Sequence, residues 1–210
     1  MRRLIVEPPL PMEEASAWAT AEERAAAARF APARAAEYLG WRAIVRRELG
    51  SGTAIAYDAV GAPVLPDLPY FLSVSHCRTH LAVTLSERRC AVDIERFDRN
   101  FGRIAHRYLT PAEVQLGAGD PRFGAVAWCA KEALYKYAGV RGCDLARDLR
   151  IDTIDFPAAA EATEAAVETT GTIRAHCEGV ARQGVAEAAR RELALSFRCT
   201  EDYAVVFLLE

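Results

Sequence analysis

The chain has 210 residues, of which 51% are hydrophobic and 26% charged, with a formal net charge of −3. That length and apolar content suffice for one sizeable core or for two small halves sharing one. The weakly acidic balance argues against a dedicated nucleic-acid binder, whose domain is usually strongly basic.

The opening MRRLIVEPPLPMEE carries two arginines, but its apolar run is cut by Pro8, Pro9 and Pro11. It is too short for a secretory signal, and no segment approaches a membrane span, so a cytoplasmic protein is expected, without membrane or nucleic-acid partners. Leu4 to Val6 reads as a first strand. Glu13 to Arg29 is alanine-rich and favours one helix on propensity. A second helix starts at Pro32 and stops at Gly50, with Tyr38, Trp41, Val45 and Leu49 as a buried stripe. Arg34, Arg42 and Arg46 lie on a neighbouring face of it.

Thr53 to Tyr57 reads as a strand and Asp58 to Pro63 as a turn. Phe71–Ser75, Leu81–Leu85 and Cys90–Ile94 are strand-like, and Ser86-Glu87-Arg88-Arg89 suggests a hairpin between the last two. Thr110-Pro111-Ala112-Glu113, within Tyr108–Leu116, has the residues of a helix start. Arg122–Ala138 is a long helix, Arg150–Phe156 a strand, and Leu193–Arg198 with Tyr203–Leu209 a terminal hairpin. Residues 157–191 give no readable pattern. The six cysteines form no C-x-x-C pair, which removes zinc-ribbon and thioredoxin-like spacing and leaves reduced thiols as the expectation. The sum is an α+β chain with meandering strands and two principal helices.

Three groups of residues could carry chemistry. In Ala91-Val92-Asp93-Ile94-Glu95, strand alternation puts Asp93 and Glu95 on one face, roughly 7 Å apart between Cα atoms. Two such carboxylates can converge on a hard cation such as magnesium; a solvated acidic strand face is the plain alternative. In Trp128-Cys129-Ala130-Lys131-Glu132-Ala133-Leu134-Tyr135-Lys136, positions 128, 132 and 136 share a helix face. Glu132 could meet a metal and Lys136 a phosphate, or the two could form an ordinary surface ion pair. In Ser73-Val74-Ser75-His76, at the end of a strand, Ser75 and His76 could bind a phosphate, or the histidine could simply close a turn. Together these groups form a set able to grip a phosphate ester around a metal ion.

In this order the motifs resemble the Sfp-type 4′-phosphopantetheinyl transferases, in the branch marked by W-x-x-K-E-A. The matching elements are Gly61-Ala62-Pro63, Ser73-Val74-Ser75-His76, Val92-Asp93-Ile94-Glu95, Leu109-Thr110-Pro111-Ala112-Glu113 and Trp128–Lys136 followed by Gly139. Glu37-Tyr38-Leu39-Gly40-Trp41-Arg42 is similar to the family's arginine-bearing helix. The resemblance covers roughly residues 30 to 150. It implies a pseudo-dimer of two similar α/β halves, residues 1–105 and 106–210, with the active site in the cleft between them. It further implies transfer of the phosphopantetheine arm of coenzyme A to a serine of an acyl or peptidyl carrier protein, with release of 3′,5′-ADP. Asp93, Glu95 and Glu132 would hold Mg²⁺ (or Mn²⁺) with the pyrophosphate, and Lys136 would contact that pyrophosphate. His76 would meet the ribose 3′-phosphate beside Ser75, helped by Arg42 and Arg34, and Glu132 would take the serine proton. A monomer is expected.

Three positions depart from the pattern. Ala91 stands where glycine is usual, Ala62 where lysine is frequent, and Gly139-Val140-Arg141-Gly142 is a residue longer than the common glycine-x-glycine. The competing readings are another Mg²⁺-dependent phosphoester enzyme, such as a nuclease, and a non-catalytic relative that binds coenzyme A or a carrier. No basic and aromatic track for a nucleic acid is visible. Arg103–Arg107 is a candidate docking stretch for the carrier.

Overall fold

A computed structural model describes residues 1–117, 119–157 and 168–209. It is α+β, as the pattern suggests. Strands β1 (Arg2–Glu7), β2 (Ala56–Tyr57), β3 (Pro63–Val64), β4 (Phe71–His76), β5 (Leu81–Ser86) and β6 (Cys90–Arg96) occupy the first part of the chain. Strands β7 (Leu149–Asp155), β8 (Thr169–Cys177), β9 (Leu193–Cys199) and β10 (Tyr203–Leu209) follow. The helices are α1 (Met12–Ala17), α2 (Ala21–Ala27), α3 (Pro32–Leu49), α4 (Pro111–Val114) and α5 (Phe123–Ala138).

Two main sheets form. The first has the order β1-β5-β4 and the second β6-β10-β9-β8-β7, both antiparallel, with β2 and β3 as a separate ribbon. Helix α3 packs on β5 of the first sheet, and α5 packs on β6 and β10 of the second. Each helix closes one sheet face, and each has its own apolar cluster. The larger cluster joins Val126, Ala130, Leu134 and Tyr137 of α5 to Phe197, Ala204 and Val206.

Several sequence expectations need correction. The alanine-rich stretch 13–29 is two helices, because Thr20 starts a new one. Its hydroxyl accepts from the Glu23 N–H while Glu23 accepts from the Thr20 N–H, a reciprocal capping box that ends α1 and opens α2. Nor do Leu81–Leu85 and Cys90–Ile94 form a hairpin. The antiparallel partners of β5 are β1 and β4, while β6 leaves for the other sheet and pairs with β10. The strand at Thr53–Tyr57 shrinks to Ala56–Tyr57. Helix α3 is buried more widely than a single stripe, with every residue from Leu39 to Arg46 buried. One side faces β5 so closely that a Cβ on Gly40 would lie 2.5 Å from Leu81 Cδ1. Its other side carries Arg42 and Arg46 into Glu23 of α2, at 3.2 and 2.6 Å. Within 157–191 the described part supplies β8 and two 3₁₀ turns, Gly179–Gly184 and Glu187–Arg190; the remainder lies outside the described residues.

Other expectations match closely. Helix α3 starts on Pro32 and its C-cap is Gly50. The Thr110 capping box opens α4, and the long helix read as Arg122–Ala138 runs from Phe123 to Ala138. The terminal hairpin turns at Thr200, whose N–H donates to the Tyr203 carbonyl. All six cysteines are free. None of the described helices is long and apolar enough to cross a membrane.

Candidate active site

The two main sheets meet edge to edge, β4 beside β6, and the candidate site is built on that seam. The strands run side by side in the same direction, but side chains replace the backbone ladder. The Val92 N–H donates to Ser73 Oγ (3.2 Å) and the Ile94 N–H to Ser75 Oγ (3.4 Å). Lys136, reaching in from α5, donates to the carbonyls of Val74 (3.3 Å) and Val92 (2.9 Å), one on each strand. Two serines and one lysine therefore satisfy backbone groups that an interrupted sheet would otherwise leave unpaired in the interior. Ser73 and this stitching were not foreseen, although the Ser-x-Ser alternation that aims both hydroxyls one way is visible in the sequence.

Asp93 is the hub. Its Oδ1 accepts from Ser75 Oγ (2.7 Å) and from Lys136 Nζ (2.8 Å), while its buried Oδ2 has no hydrogen-bond partner. An orphaned carboxylate oxygen inside a protein is costly unless something else completes it. Glu95, one pleat on, pairs with Arg99 one turn of chain later. Burial foremost, then the Asp93 charge, push the Glu95 carboxyl up to about 7. Glu132 on α5 is raised as well, by burial and then by Asp93. Two carboxyls held up by burial and by the neighbouring Asp93 charge mark a site short of positive charge. The chemistry of the three carboxylates, hard oxygens with one unsatisfied, fits a divalent cation such as magnesium. Among the described residues no three such groups are gathered into a finished metal centre. Lys136 pairs with Asp93 and Arg99 with Glu95.

Helix α5 sorts its residues by face. Trp128, Glu132 and Lys136, four apart, are half-buried along the row that looks toward β6, while Lys131 turns the other way and is fully buried. There its ammonium donates to Glu113 Oε1 (2.5 Å) and to the Leu149 carbonyl. Glu113 also accepts from the N–H groups of Thr110 and Ile151. Burial alone would raise the Glu113 carboxyl, but these donors outweigh it and hold it below the usual range.

A cavity of about 520 Å³ opens beside the seam, lined by Arg34, Gly61, Ser75, His76, Tyr135 and Lys136 among others. Arg34 Nη1 lies 3.2 Å from His76 Nε2, and Glu37 Oε1 3.4 Å from His76 Nδ1. Burial chiefly lowers the His76 pKa, with Arg34 and Lys136 acting the same way and Glu37 against them. Arg42 lies outside the cavity lining. Its guanidinium is buried, bonded to Glu23, the Tyr38 carbonyl and the Tyr57 hydroxyl, and stacked 3.6 Å over the Tyr38 ring. Asp93, Ser75 and Lys136 thus sit in one hydrogen-bonded group, His76 and Arg34 share a cavity with Lys136, and Arg42 is placed as a bracket behind them.

The model of the 4′-phosphopantetheinyl transferase superfamily matches residues 89–197, from the start of β6 almost to the end of β9. The chain belongs to this superfamily. The match takes in Asp93, Glu95, Glu132 and Lys136, and its activity class is transfer of phosphopantetheine to carrier proteins. No curated protein is similar enough to count as a match.

Proposed function

We propose that the chain is an Sfp-type 4′-phosphopantetheinyl transferase that moves the arm of coenzyme A onto a serine of an acyl or peptidyl carrier protein. The observation that carries this reading is the meeting of Asp93, Ser75 and Lys136 at the seam, beside a cavity lined by Arg34 and His76. The cavity draws its walls from both sheets and both long helices, which supports a pseudo-dimer of residues 1–105 and 106–210 working as a monomer. In that arrangement β6 is the strand that the first half contributes to the second sheet.

Arg34 and His76 would take the ribose 3′-phosphate. An anion beside His76 favours its protonated form and offsets the lowering that burial imposes. Arg34, half-exposed and facing the cavity, is freer for this task than Arg42, which acts by holding Tyr38 and Tyr57 in place. Asp93, Glu95 and Glu132 would hold Mg²⁺ or Mn²⁺, which when bound neutralises charge on the pyrophosphate. Lys136 Nζ would stabilise the negative charge that builds on the pyrophosphate oxygens. Glu132 would take the hydroxyl proton of the carrier serine as its oxygen bonds to the β-phosphorus. The bond from that phosphorus to the bridging oxygen breaks, and 3′,5′-ADP departs with the electron pair.

The test is Glu132→Gln. Transfer is expected to fall by about 10²-fold or more, the lower range for loss of a general base. Coenzyme A binding, read by calorimetry, should stay within a few-fold of the parent. Retained turnover would remove Glu132 from the catalytic role.

A further inference from the structure

We infer that Arg99 is a built-in counter-ion that competes with the divalent cation for Glu95, and so sets the metal concentration at which the site is loaded. The inference rests on the metal assignment to Asp93, Glu95 and Glu132, and it concerns a residue outside that set. Glu95 is the least solvated half of its ion pair: its side chain is 16% exposed against 48% for Arg99. The guanidinium is therefore the movable partner. It lies 5.2 Å above the Phe101 ring and 5.4 Å above the Trp128 ring, a pair of aromatic faces that keep it over the acidic cluster. Trp128 also acts on Glu95, lowering its carboxyl against burial, so carboxylate, guanidinium and indole are grouped together.

The charges explain why such a device is needed. Asp93, Glu95 and Glu132 lie close enough to feel one another's charge, and among the described residues Lys136 pairs with Asp93 and Arg99 with Glu95. Lys136 cannot leave cheaply, because it also ties the carbonyls of Val74 and Val92 across the seam. Among the described residues the Arg99 side chain makes its ion pair with Glu95, lies over two rings it can slide across and acts on Glu132 through charge. A dication arriving at Glu95 therefore displaces Arg99 rather than Lys136. An arginine spaced four residues from its glutamate keeps the carboxylates apart from one another's full repulsion until the metal replaces it.

The experiment measures Mn²⁺ binding to the whole chain without coenzyme A, by calorimetry at low salt, for the parent, Arg99→Gln, Arg103→Gln and Asp93→Asn. Arg103 is exposed and gives the same change of net charge. Arg99→Gln is expected to bind Mn²⁺ about 1.5-fold to fivefold more tightly, the range that losing a half-exposed ion pair converts to. The rise in melting temperature on adding Mn²⁺ should be larger in that variant, while Arg103→Gln matches the parent. Unchanged or weaker binding in Arg99→Gln, or equal tightening in Arg103→Gln, would overturn the inference, the latter by reducing it to a general field effect. Asp93→Asn should weaken binding; if it does not, the metal assignment falls and the Arg99 inference with it.

Discussion

At the residue scale, the Trp128–Lys136 motif divides between chemistry and architecture. Lys131 and Glu132 are neighbours in sequence, yet one is buried against Glu113 and Leu149 and the other faces the carboxylate cluster. Removing the Lys131 ammonium leaves Glu113 as an uncompensated buried charge, which typically costs about 3–5 kcal/mol. Lys131→Met should therefore lower unfolding stability in urea by about that amount. A loss below about 1 kcal/mol, the usual value of an exposed pair, would contradict the buried-pair reading. From the sequence, the spacing of Trp128, Glu132 and Lys136 was enough to put them on one face, and so were the alternating Asp93 and Glu95. Two things were not legible: which cations hold the carboxylates before any ligand arrives, and that Arg42 faces Tyr57 and Glu23 rather than the cavity. Both depend on contacts between segments far apart in the chain, such as Arg46 with Glu23 and Lys136 with Val74.

At the element scale, most strands and both long helices followed from local patterning, α3 most plainly from Pro32 at its start and Gly50 at its end, whereas β8 lies in a stretch that gave no pattern. Pairing was harder. Leu81–Ser86 and Cys90–Arg96 are adjacent in sequence and both strand-like, and nothing local says that β6 turns to β10 rather than back to β5. The deciding interactions are at the seam, where Ser73 and Ser75 accept the N–H groups of Val92 and Ile94. Ser73 is buried, and its hydroxyl is the hydrogen-bond partner of the Val92 N–H. Ser73→Ala should orphan that donor at a cost of about 1–3 kcal/mol. Hydrogen exchange is the direct readout: the Val92 amide should lose protection, whereas amides in β8 and β9, remote from the seam, should keep theirs. Uniform loss across both sheets would show that Ser73 supports the fold at large and does not act locally at the seam.

At the scale of the whole molecule, two sheets, each faced by one long helix, are joined along β4 and β6. Ala82 of the first sheet and Val92, Ile94 and Val205 of the second form an apolar cluster that also holds the sheets together, while along β4 and β6 the joint is polar where a continuous ladder would be ordinary. That choice leaves Asp93 Oδ2 open and Lys136 bound to three oxygens at the place where the cavity begins. The seam thus joins stability to function, since the same lysine closes the sheet gap and faces the proposed pyrophosphate. The α+β class was legible from alternating strand and helix patterns. The join was not, because it uses serine side chains in place of backbone pairing. The same reading makes transfer dependent on both sheets and on a divalent ion. The most direct measurement is the intact mass of an apo acyl carrier protein and an apo peptidyl carrier domain, each incubated with the chain, coenzyme A and Mg²⁺. The account expects at least one carrier to gain a single phosphopantetheine, and the gain to vanish with EDTA. A gain that survives EDTA would contradict the metal role of Asp93, Glu95 and Glu132, and no gain on either carrier together with no coenzyme A binding would contradict the transferase reading itself.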